Sequence, residues 1–422
     1  MRRLRFPLSW SEHSVAMVAF LALFPGFFFY HTLLGLGKIG AFLGGYFAPV
    51  SILMAPPLMY FYFYRIRRDG GRMGRPEVLF ALYMAYFALI IVLQSMAGAN
   101  PVIVSGHVLA TLFIANMFFI FRLADFSRRS FRLAALASLL AMSAIVFSYS
   151  VDGAFYLAPL GTAKNPESLA TYQGFSRSYL VTFVAAIAFT NSAALRALLY
   201  CVAAATLFVN TARSEFVALL FMIPIIEIYL SKTKILMISV LTILSLLIYL
   251  NLQEILSLLP SNRILELFDL SHSASANKRH HLSVYAMNTI ANFPAFGDYG
   301  SYTPGAYSHN VLSAWVDTGL FGFVFVIALM IMPTAQMFLR GYFLPRKSSI
   351  FILSFSLACI TILLLITAHY FTDMLIGATL GAYSRYRYGR KNPAHRPPVL
   401  GPSAARHPHL RETVPHAGST RL

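Results

Sequence analysis

Residues 348–366 have the sequence SSIFILSFSLACITILLLI, nineteen consecutive positions without a charged side chain. A helix that crosses the ~30 Å hydrocarbon core of a bilayer needs about 20 mostly apolar residues, and this stretch has that length. The whole chain shares its character, because 58% of the 422 residues are hydrophobic, 11% are charged, and the mean hydropathy is +0.66. Soluble domains carry about 25% charged residues. The composition therefore excludes a cytosolic enzyme and predicts a membrane protein.

Eleven further apolar runs predict an all-α polytopic membrane protein with about 12 transmembrane helices. The predicted spans are residues 14–36, 39–63, 78–96, 103–121, 133–149, 178–193, 195–211, 214–230, 235–250, 309–333, 348–366 and 368–385. The first span follows three arginines, as a signal peptide does, but its apolar run is too long for one, so we predict that it is retained. Two helices in place of three over 178–230 would need about 40 Å each, which disfavours that alternative.

The basic residues predict the orientation. If the N-terminus is cytoplasmic, 26 of the 33 Lys and Arg lie in cytoplasmic loops and seven lie outside. The positive-inside rule then predicts cytoplasmic termini and two periplasmic loops, 150–177 and 251–308, the larger one between spans 9 and 10. We predict one transmembrane domain over residues 1–385. The basic, proline-rich segment 386–422 is predicted to be a disordered cytoplasmic tail near anionic lipid.

Other features of the sequence limit the class of protein. Apolar residues at helical spacing from Leu282 to Phe293 predict an amphipathic helix at the outer membrane surface. The basic residues lie in short loops rather than along one face of a domain, which disfavours nucleic acid as a partner. Cys201 and Cys359 lie far apart within apolar runs, so no disulfide, redox or zinc site is predicted.

An ionisable side chain within or at the end of a span costs free energy to place in the membrane. A functional role is therefore the first hypothesis for each of these residues. Arg213 and Glu215 follow a short outer turn, and the alternative is an ion pair among lipid headgroups. Arg279 lies in a basic stretch that opens the amphipathic helix, where headgroup attraction is the alternative. Asp317 and Asp373, like Glu227, fall within spans and are either polar packing residues or functional groups.

His309 and Asn310 stand at the start of the tenth span. Four glycines surround them in sequence: Gly297, Gly300, Gly319 and Gly322. The first two belong to a turn that lets the backbone approach another segment closely, and the last two permit close helix packing. A lone histidine at a helix start is more often an interfacial residue, but this neighbourhood favours a functional one.

These motifs together resemble the superfamily of O-antigen ligases and O-antigen polymerases, which are bacterial inner-membrane glycan transferases. The resemblance rests on Arg213, on an outer loop with Arg279 and Pro294-x-x-Gly297, and on His309-Asn310 before Gly319-x-x-Gly322, and it covers residues 195–335. Two positions depart from the ligases of this family. Eight residues separate Asn310 from Gly319 where ligases typically have nine, and Val217 stands where they usually have leucine.

The resemblance implies a glycan donor linked to undecaprenyl diphosphate and an acceptor sugar, on a lipid or a glycan, at the periplasmic face of the inner membrane. It implies that Arg213 and Arg279 bind the diphosphate, that His309 is the general base, and that Glu215 and Asn310 orient their neighbours. Direct displacement would invert the anomeric centre. We expect no cofactor, and no metal because the sequence shows no acidic pair on the outer side.

The choice between polymerase and ligase depends on the acceptor. On an ideal helix, the shorter spacing turns His309 by about 100° relative to the glycine face, which slightly favours a polymerase of O-antigen or exopolysaccharide over a ligase. A transporter or flippase is the alternative from another class. It is disfavoured because transporters usually show repeats and charged groups near the midplane. The sequence leaves the sugars, the linkage, the acceptor and the oligomeric state open.

Overall fold

The computed structural model describes residues 11–43, 45–68, 70–71, 73–155, 157, 171–258, 260, 264–267 and 274–389. Over these residues the chain is all-α, as predicted, apart from a hairpin of β1 (Ser150–Val151) and β2 (Ala154–Phe155). The helices are α1 (Glu12–Leu21), α2 (Phe27–Gly35), α3 (Phe47–Arg68), α4 (Arg75–Met96), α5 (Pro101–Leu123), α6 (Arg129–Ser148), α7 (Thr171–Ile187), α8 (Ala193–Val209), α9 (Arg213–Leu230), α10 (Lys234–Leu250), α11 (Leu252–Leu258), α12 (Ala274–Asn292), α13 (Leu312–Met337), α14 (Ser349–Thr367) and α15 (Leu375–Tyr388). The predicted tail lies almost wholly outside the described residues.

Seven helical stretches in the described residues are long and apolar enough to cross a membrane, which indicates a multi-pass membrane protein. They are Glu12–Gly35, Phe47–Arg68, Arg75–Met96, Pro101–Leu123, Arg129–Ser148, Leu312–Tyr342 and Ser349–Thr367. α10 and α11 meet at 68° and would add one more if they form a single broken span. Each of the twelve predicted runs coincides with a helix, and three helices fill the region around 178–230. The number of spans beyond these stays a prediction.

The predicted amphipathic helix lies within α12, which packs against α13. Ala286 and Thr289 on its inner face are buried, whereas Tyr285 and Phe293 are exposed. The apolar stripe therefore contacts the protein over part of its length. Its position on a membrane surface stays a prediction.

Small residues bring two central helices together. On α15, a side chain at Gly377 or Gly381 would overlap the backbone of α5 at Ile114 and Phe118. This is the close approach that small residues permit between membrane helices. It fixes the turn before α15, residues 368–374, beside the first turns of α5.

Ion pairs lie at the two ends of the helix bundle. At one end, here called the inner end, Arg122 Nε lies 2.5 Å from Glu77 Oε1 and Arg196 Nε lies 2.7 Å from Glu227 Oε1. At the opposite end, the outer end, Arg177 pairs with carboxylates of α9 and of the turn before α15. In each pair, the two helix ends that are joined are ones that the count of Lys and Arg predicts to lie on the same side of the membrane. The assignment of the two ends to cytoplasm and periplasm stays a prediction.

Candidate functional site

Four ionisable side chains meet at the outer end, and we call them the outer charge cluster: Arg177 of α7, Glu215 of α9, and His369 and Asp373 of the turn between α14 and α15. Arg177 Nη1 lies 2.9 Å from Asp373 Oδ2, and its Nη2 lies 3.6 Å from Glu215 Oε1. His369 Nδ1 lies 2.6 Å from the same Asp373 oxygen, and its Nε2 lies 3.4 Å from Glu215 Oε1. Two basic groups thus face two carboxylates.

The outer charge cluster is buried and balances its own charge. The Glu215 side chain is 0% exposed and that of Asp373 is 5% exposed. Burial and the Arg177 guanidinium oppose protonation of His369, but Asp373 and Glu215 outweigh them and raise the His369 pKa. Burial would raise the pKa of Asp373, but Arg177 and His369 outweigh it and hold that pKa well below its usual range. The basic and acidic groups of the cluster therefore favour each other's charged forms.

A hydrogen-bonded chain of tyrosines continues from the cluster, and we call it the tyrosine network. Tyr370 follows His369 directly, and its hydroxyl donates to Asp317 Oδ2. Tyr302 OH donates to the same carboxylate at 3.2 Å. His107 of α5 lies between two hydroxyls, with Nε2 2.8 Å from Tyr370 OH and Nδ1 2.7 Å from Tyr299 OH. The network joins α5, α13 and the loop between α12 and α13.

α13 is broken at Gly319, where φ is 68° and ψ is −177°. The turn after α12 occupies the break, because Ala295 O accepts a hydrogen bond from Leu320 N at 3.1 Å. A side chain at Gly319 would overlap Ala295 O and the backbone of Phe296. Residues with a side chain almost never adopt this backbone conformation. Both the conformation and the lack of space therefore require glycine at this position.

The glycine turn that precedes His309 packs directly on α13. Gly297 has a φ of 70°, and a side chain there would overlap the Val316 carbonyl. Gly300 has a φ of 66°, and its N–H donates to Asp317 Oδ1 at 2.9 Å. The segment that this turn approaches so closely is thus the backbone of α13.

One sequence argument is wrong in view of this geometry. The comparison of polymerase and ligase spacing placed His309 and Gly319 on one ideal helix. In the structure α13 begins at Leu312, after His309, and is interrupted at Gly319. The rotation of about 100° per residue therefore does not apply between these two positions.

His309 lies half-buried in the last turn before α13, with its ring centroid 4.9 Å from that of Tyr307. Neither ring nitrogen forms a hydrogen bond with another residue in the part of the chain that the structure describes. Burial, and to a smaller extent the neighbouring basic groups Arg279, His369 and Lys278, together lower the His309 pKa to about 4. The imidazole is therefore neutral at neutral pH, with one nitrogen able to accept a proton.

Asn310 fixes the chain on both sides of His309. Its Oδ1 accepts hydrogen bonds from Leu312 N at 3.0 Å and from Ser308 Oγ at 2.9 Å, which closes a turn at the start of α13. Its Nδ2 donates to Ser283 Oγ of α12 at 3.1 Å. α12, the helix that carries Arg279, is thereby tied to the residue next to His309.

Arg213 is the first residue of α9 and lies half-buried, two residues before Glu215. The turn that precedes it is held to α7, since Asn210 Nδ2 donates to Ser176 Oγ at 2.6 Å. Thr211 in this turn has a φ of 64°, a costly value for a β-branched residue. Such strain is characteristic of sites where the surrounding structure fixes the backbone.

Gly322, on the inner side of the break, faces α4. A side chain there would come within 3.1 Å of the Tyr86 ring. Tyr86 OH donates to the Thr318 carbonyl at 2.7 Å, so the packing also satisfies a backbone group that the break exposes.

The structure thus ties Asn310 to the helix that carries Arg279, whose charge acts on His309, and it joins Glu215 to residues that sequence reasoning missed. Arg177, His369 and Tyr370 were not predicted as site residues. A signal was present in His369-x-x-x-Asp373, a spacing that puts two ionisable groups in one outer turn between apolar runs.

The premise for metal independence also needs correction. The sequence suggested that no acidic pair lies on the outer side, but Glu215 and Asp373 form one through Arg177 and His369. Both carboxylates are already neutralised by these basic groups. The set is therefore poorly suited to a divalent cation, which prefers anionic oxygen ligands that are free to coordinate it.

No protein-family model matches this sequence, and no curated protein matches it. The likeness to O-antigen ligases and polymerases therefore rests on the motifs and on the chemistry of the residues at the outer end.

Proposed function

We propose that this chain is a glycan transferase of the O-antigen ligase or polymerase type, which moves a glycan from undecaprenyl diphosphate to an acceptor hydroxyl at the periplasmic face of a bacterial inner membrane. The observation that carries the proposal is His309. It is a neutral, half-buried histidine without a hydrogen-bond partner among the described residues, and it lies in the positive field of Arg279 at one end of an apolar helix bundle.

The reaction is a direct displacement. The acceptor oxygen bonds to the anomeric carbon while the bond from that carbon to the diphosphate oxygen breaks, and undecaprenyl diphosphate leaves with the electron pair. His309 takes the acceptor proton. Arg213 and Arg279 hold the diphosphate and stabilise the negative charge that develops on it. Attack from the face opposite the leaving group inverts the anomeric configuration.

Donor binding would also activate the base. A pKa of about 4 keeps His309 unprotonated but makes it a weak base at neutral pH. The positive charges of Arg279 and Lys278 are part of the reason for this low value. A bound diphosphate would offset those charges and raise the His309 pKa towards the working pH. Proton transfer would thus be favoured only when the donor is in place.

The proposed transfer needs no metal, because guanidinium groups bind the diphosphate and the carboxylates of the outer charge cluster are already paired. We expect full turnover in EDTA. A loss of turnover that Mg²⁺ or Mn²⁺ restores would contradict this part of the proposal.

Transfer by the purified protein from a synthetic undecaprenyl-diphosphate glycan tests the function. His309→Ala should bind the donor normally and lose transfer, whereas the exposed His281→Ala on α12 is the matched control and should keep both. Arg213→Lys keeps the charge but loses the bidentate geometry, so we expect a severe loss of turnover at normal protein levels. Near-normal transfer by His309→Ala would refute the general-base role.

The slight preference for a polymerase rests on the motif departures alone, since the helix-rotation argument is lost. A strain that lacks a polymerase should keep single repeat units on the normal acceptor or lose secreted polysaccharide. A strain that lacks a ligase should accumulate full-length polymer on undecaprenyl diphosphate. Accumulation of that polymer would assign this chain to the ligases.

A further inference from the structure

A cleft opens at the inner end of the bundle, between the start of α6, the end of α7 and the start of α8. Its volume is about 290 Å³. Arg129 and Arg132 of α6 line one side, and Ser192, which caps α8, lines another. Among the described residues no carboxylate lines the cleft. The cleft therefore carries two positive charges that no acidic side chain in its described lining balances.

The two cleft arginines differ from their neighbours in having no side-chain partner among the described residues. In the described part of the chain, neither Arg129 nor Arg132 forms an ion pair or a side-chain hydrogen bond, and Arg132 Nε is inaccessible to solvent. Arg128 lies 3.5 Å from Asp125, and Arg196 makes two hydrogen bonds to Glu227. A guanidinium with a buried and unsatisfied nitrogen calls for an anionic acceptor.

The position of these arginines adds to the argument. Both lie in the first turn of α6, where the helix dipole disfavours positive charge. α8 also directs its N-terminus at the cleft. An anion bound between the two helices would satisfy the arginines and interact favourably with both helix ends.

The rest of the cleft is apolar. Leu133 and Leu136 of α6 and Leu195 of α8 form its walls, with Phe189 at the end of α7. Leu133 is 56% exposed and Leu195 is 40% exposed, so the apolar walls continue onto the outside of the bundle. A ligand that fits both parts has an anionic head and an apolar chain. The ends of spanning helices lie at the depth of lipid headgroups.

We propose that this cleft binds the phosphate headgroup of an anionic glycerophospholipid, with the acyl chains along α6 and α8. Phosphate chemistry is shared by a lipid and by free inorganic phosphate. The apolar walls favour the lipid. The site is far from His309 along the helices and is independent of the glycan-transfer proposal.

Native mass spectrometry of the full-length protein tests the site with two defined lipids, phosphatidylglycerol and phosphatidylcholine. The wild type should retain phosphatidylglycerol preferentially. Arg129→Ala/Arg132→Ala should lose roughly thirtyfold in affinity for it, at about one kcal/mol per basic residue. Arg128→Ala is the matched control, because Arg128 lies in the same segment but pairs with Asp125, and it should behave as the wild type. Equal retention of the two lipids, or unchanged retention by the double variant, would overturn the proposal.

A second variant separates the lipid from free phosphate. Leu195→Trp should fill the apolar part of the cleft and displace the lipid without removing the arginines. Inorganic phosphate at millimolar concentration should not displace phosphatidylglycerol from the wild type. If inorganic phosphate displaces the lipid fully, or if Leu195→Trp retains it, the site is not a lipid site. Leu195→Trp also provides the test if the double variant does not fold.

Discussion

The geometry of the break in α13 predicts how much a side chain at Gly319 should lower the free energy of unfolding. At Gly319, alanine would have to adopt a φ of 68° with a ψ of −177°, which costs about 1–3 kcal/mol. Its side chain would also overlap Ala295 O and the backbone of Phe296, and such overpacking costs about 1–3 kcal/mol more. Gly305→Ala, in the loop that precedes α13, is the matched control, because Gly305 has a φ of 86° but nothing within 4 Å of an added side chain. The control should cost only about 1–2 kcal/mol.

Trp315 reports this contact directly, since its Nε1 donates to Pro294 O at 2.7 Å. The chain has two tryptophans, so Trp10→Phe leaves Trp315 as the single fluorophore. In a denaturant titration in detergent, Gly319→Ala should shift the midpoint of the Trp315 transition further than Gly305→Ala does. It should also reduce glycan transfer, because the displaced turn precedes His309. Equal midpoints for the two variants would refute the reasoning that the turn is held by close packing at the break.

Three further predictions concern the outer end. Burial and nearby basic groups lower the His309 pKa to about 4. Its imidazole should therefore stay reactive towards diethylpyrocarbonate at pH 5, where a free histidine side chain is mostly protonated. Protection of His309 from the reagent at pH 5 would contradict this prediction. Arg177→Met should destabilise the fold by about 3–5 kcal/mol in the same denaturant titration, since it removes a buried partner of both carboxylates and leaves only His369 to balance them. Adding Asp373→Asn should cost less in the Arg177→Met background than alone, and additive effects would argue against the pairing. Cysteine at Asn277 should react with an impermeant maleimide in spheroplasts and cysteine at Ser403 should not, and the reverse would invert the topology.

The helices were predictable because their signal is local. A run such as 348–366 must be helical in a bilayer, since each backbone group there has to form its hydrogen bond within the segment. The predicted and observed ends still differ, as for the second span, predicted from residue 39 and observed from Phe47. Apolar composition continues past the end of a helix, so it does not mark the end.

The break at Gly319 was not predictable from the same signal. Gly319 lies inside an apolar run, and close helix packing is the usual reason for a glycine there. The structure shows that Gly319 instead makes room for the turn at Ala295 and Phe296, about 24 residues earlier in the sequence. In the sequence, only Gly297 and Gly300 indicated a close approach of the backbone, and they did not identify α13 as the segment that is approached.

The outer charge cluster was missed for a related reason. Arg177, Glu215 and His369 belong to segments that are 38 and 154 residues apart along the chain, and each looks like an isolated polar residue at the end of a span. These residues come together only because α15 packs on α5, with α7 and α9 beside them. That packing is a property of the helix bundle and not of a sequence motif.

In the proposed function, the division of charge at the outer end favours His309 over His369 as the base. Asp373 and Glu215 favour the protonated form of His369, and both of its ring nitrogens already lie in contact with residues of the outer charge cluster. His309 lies beside cations instead of carboxylates, which keeps its nitrogen free of a proton until an anion arrives. The pairing within the cluster also matters for His309: if His369 or Arg177 were unpaired, an anionic donor could bind there rather than beside Arg279. The buried carboxylates thus keep two basic groups occupied and leave the positive field of α12 to the donor.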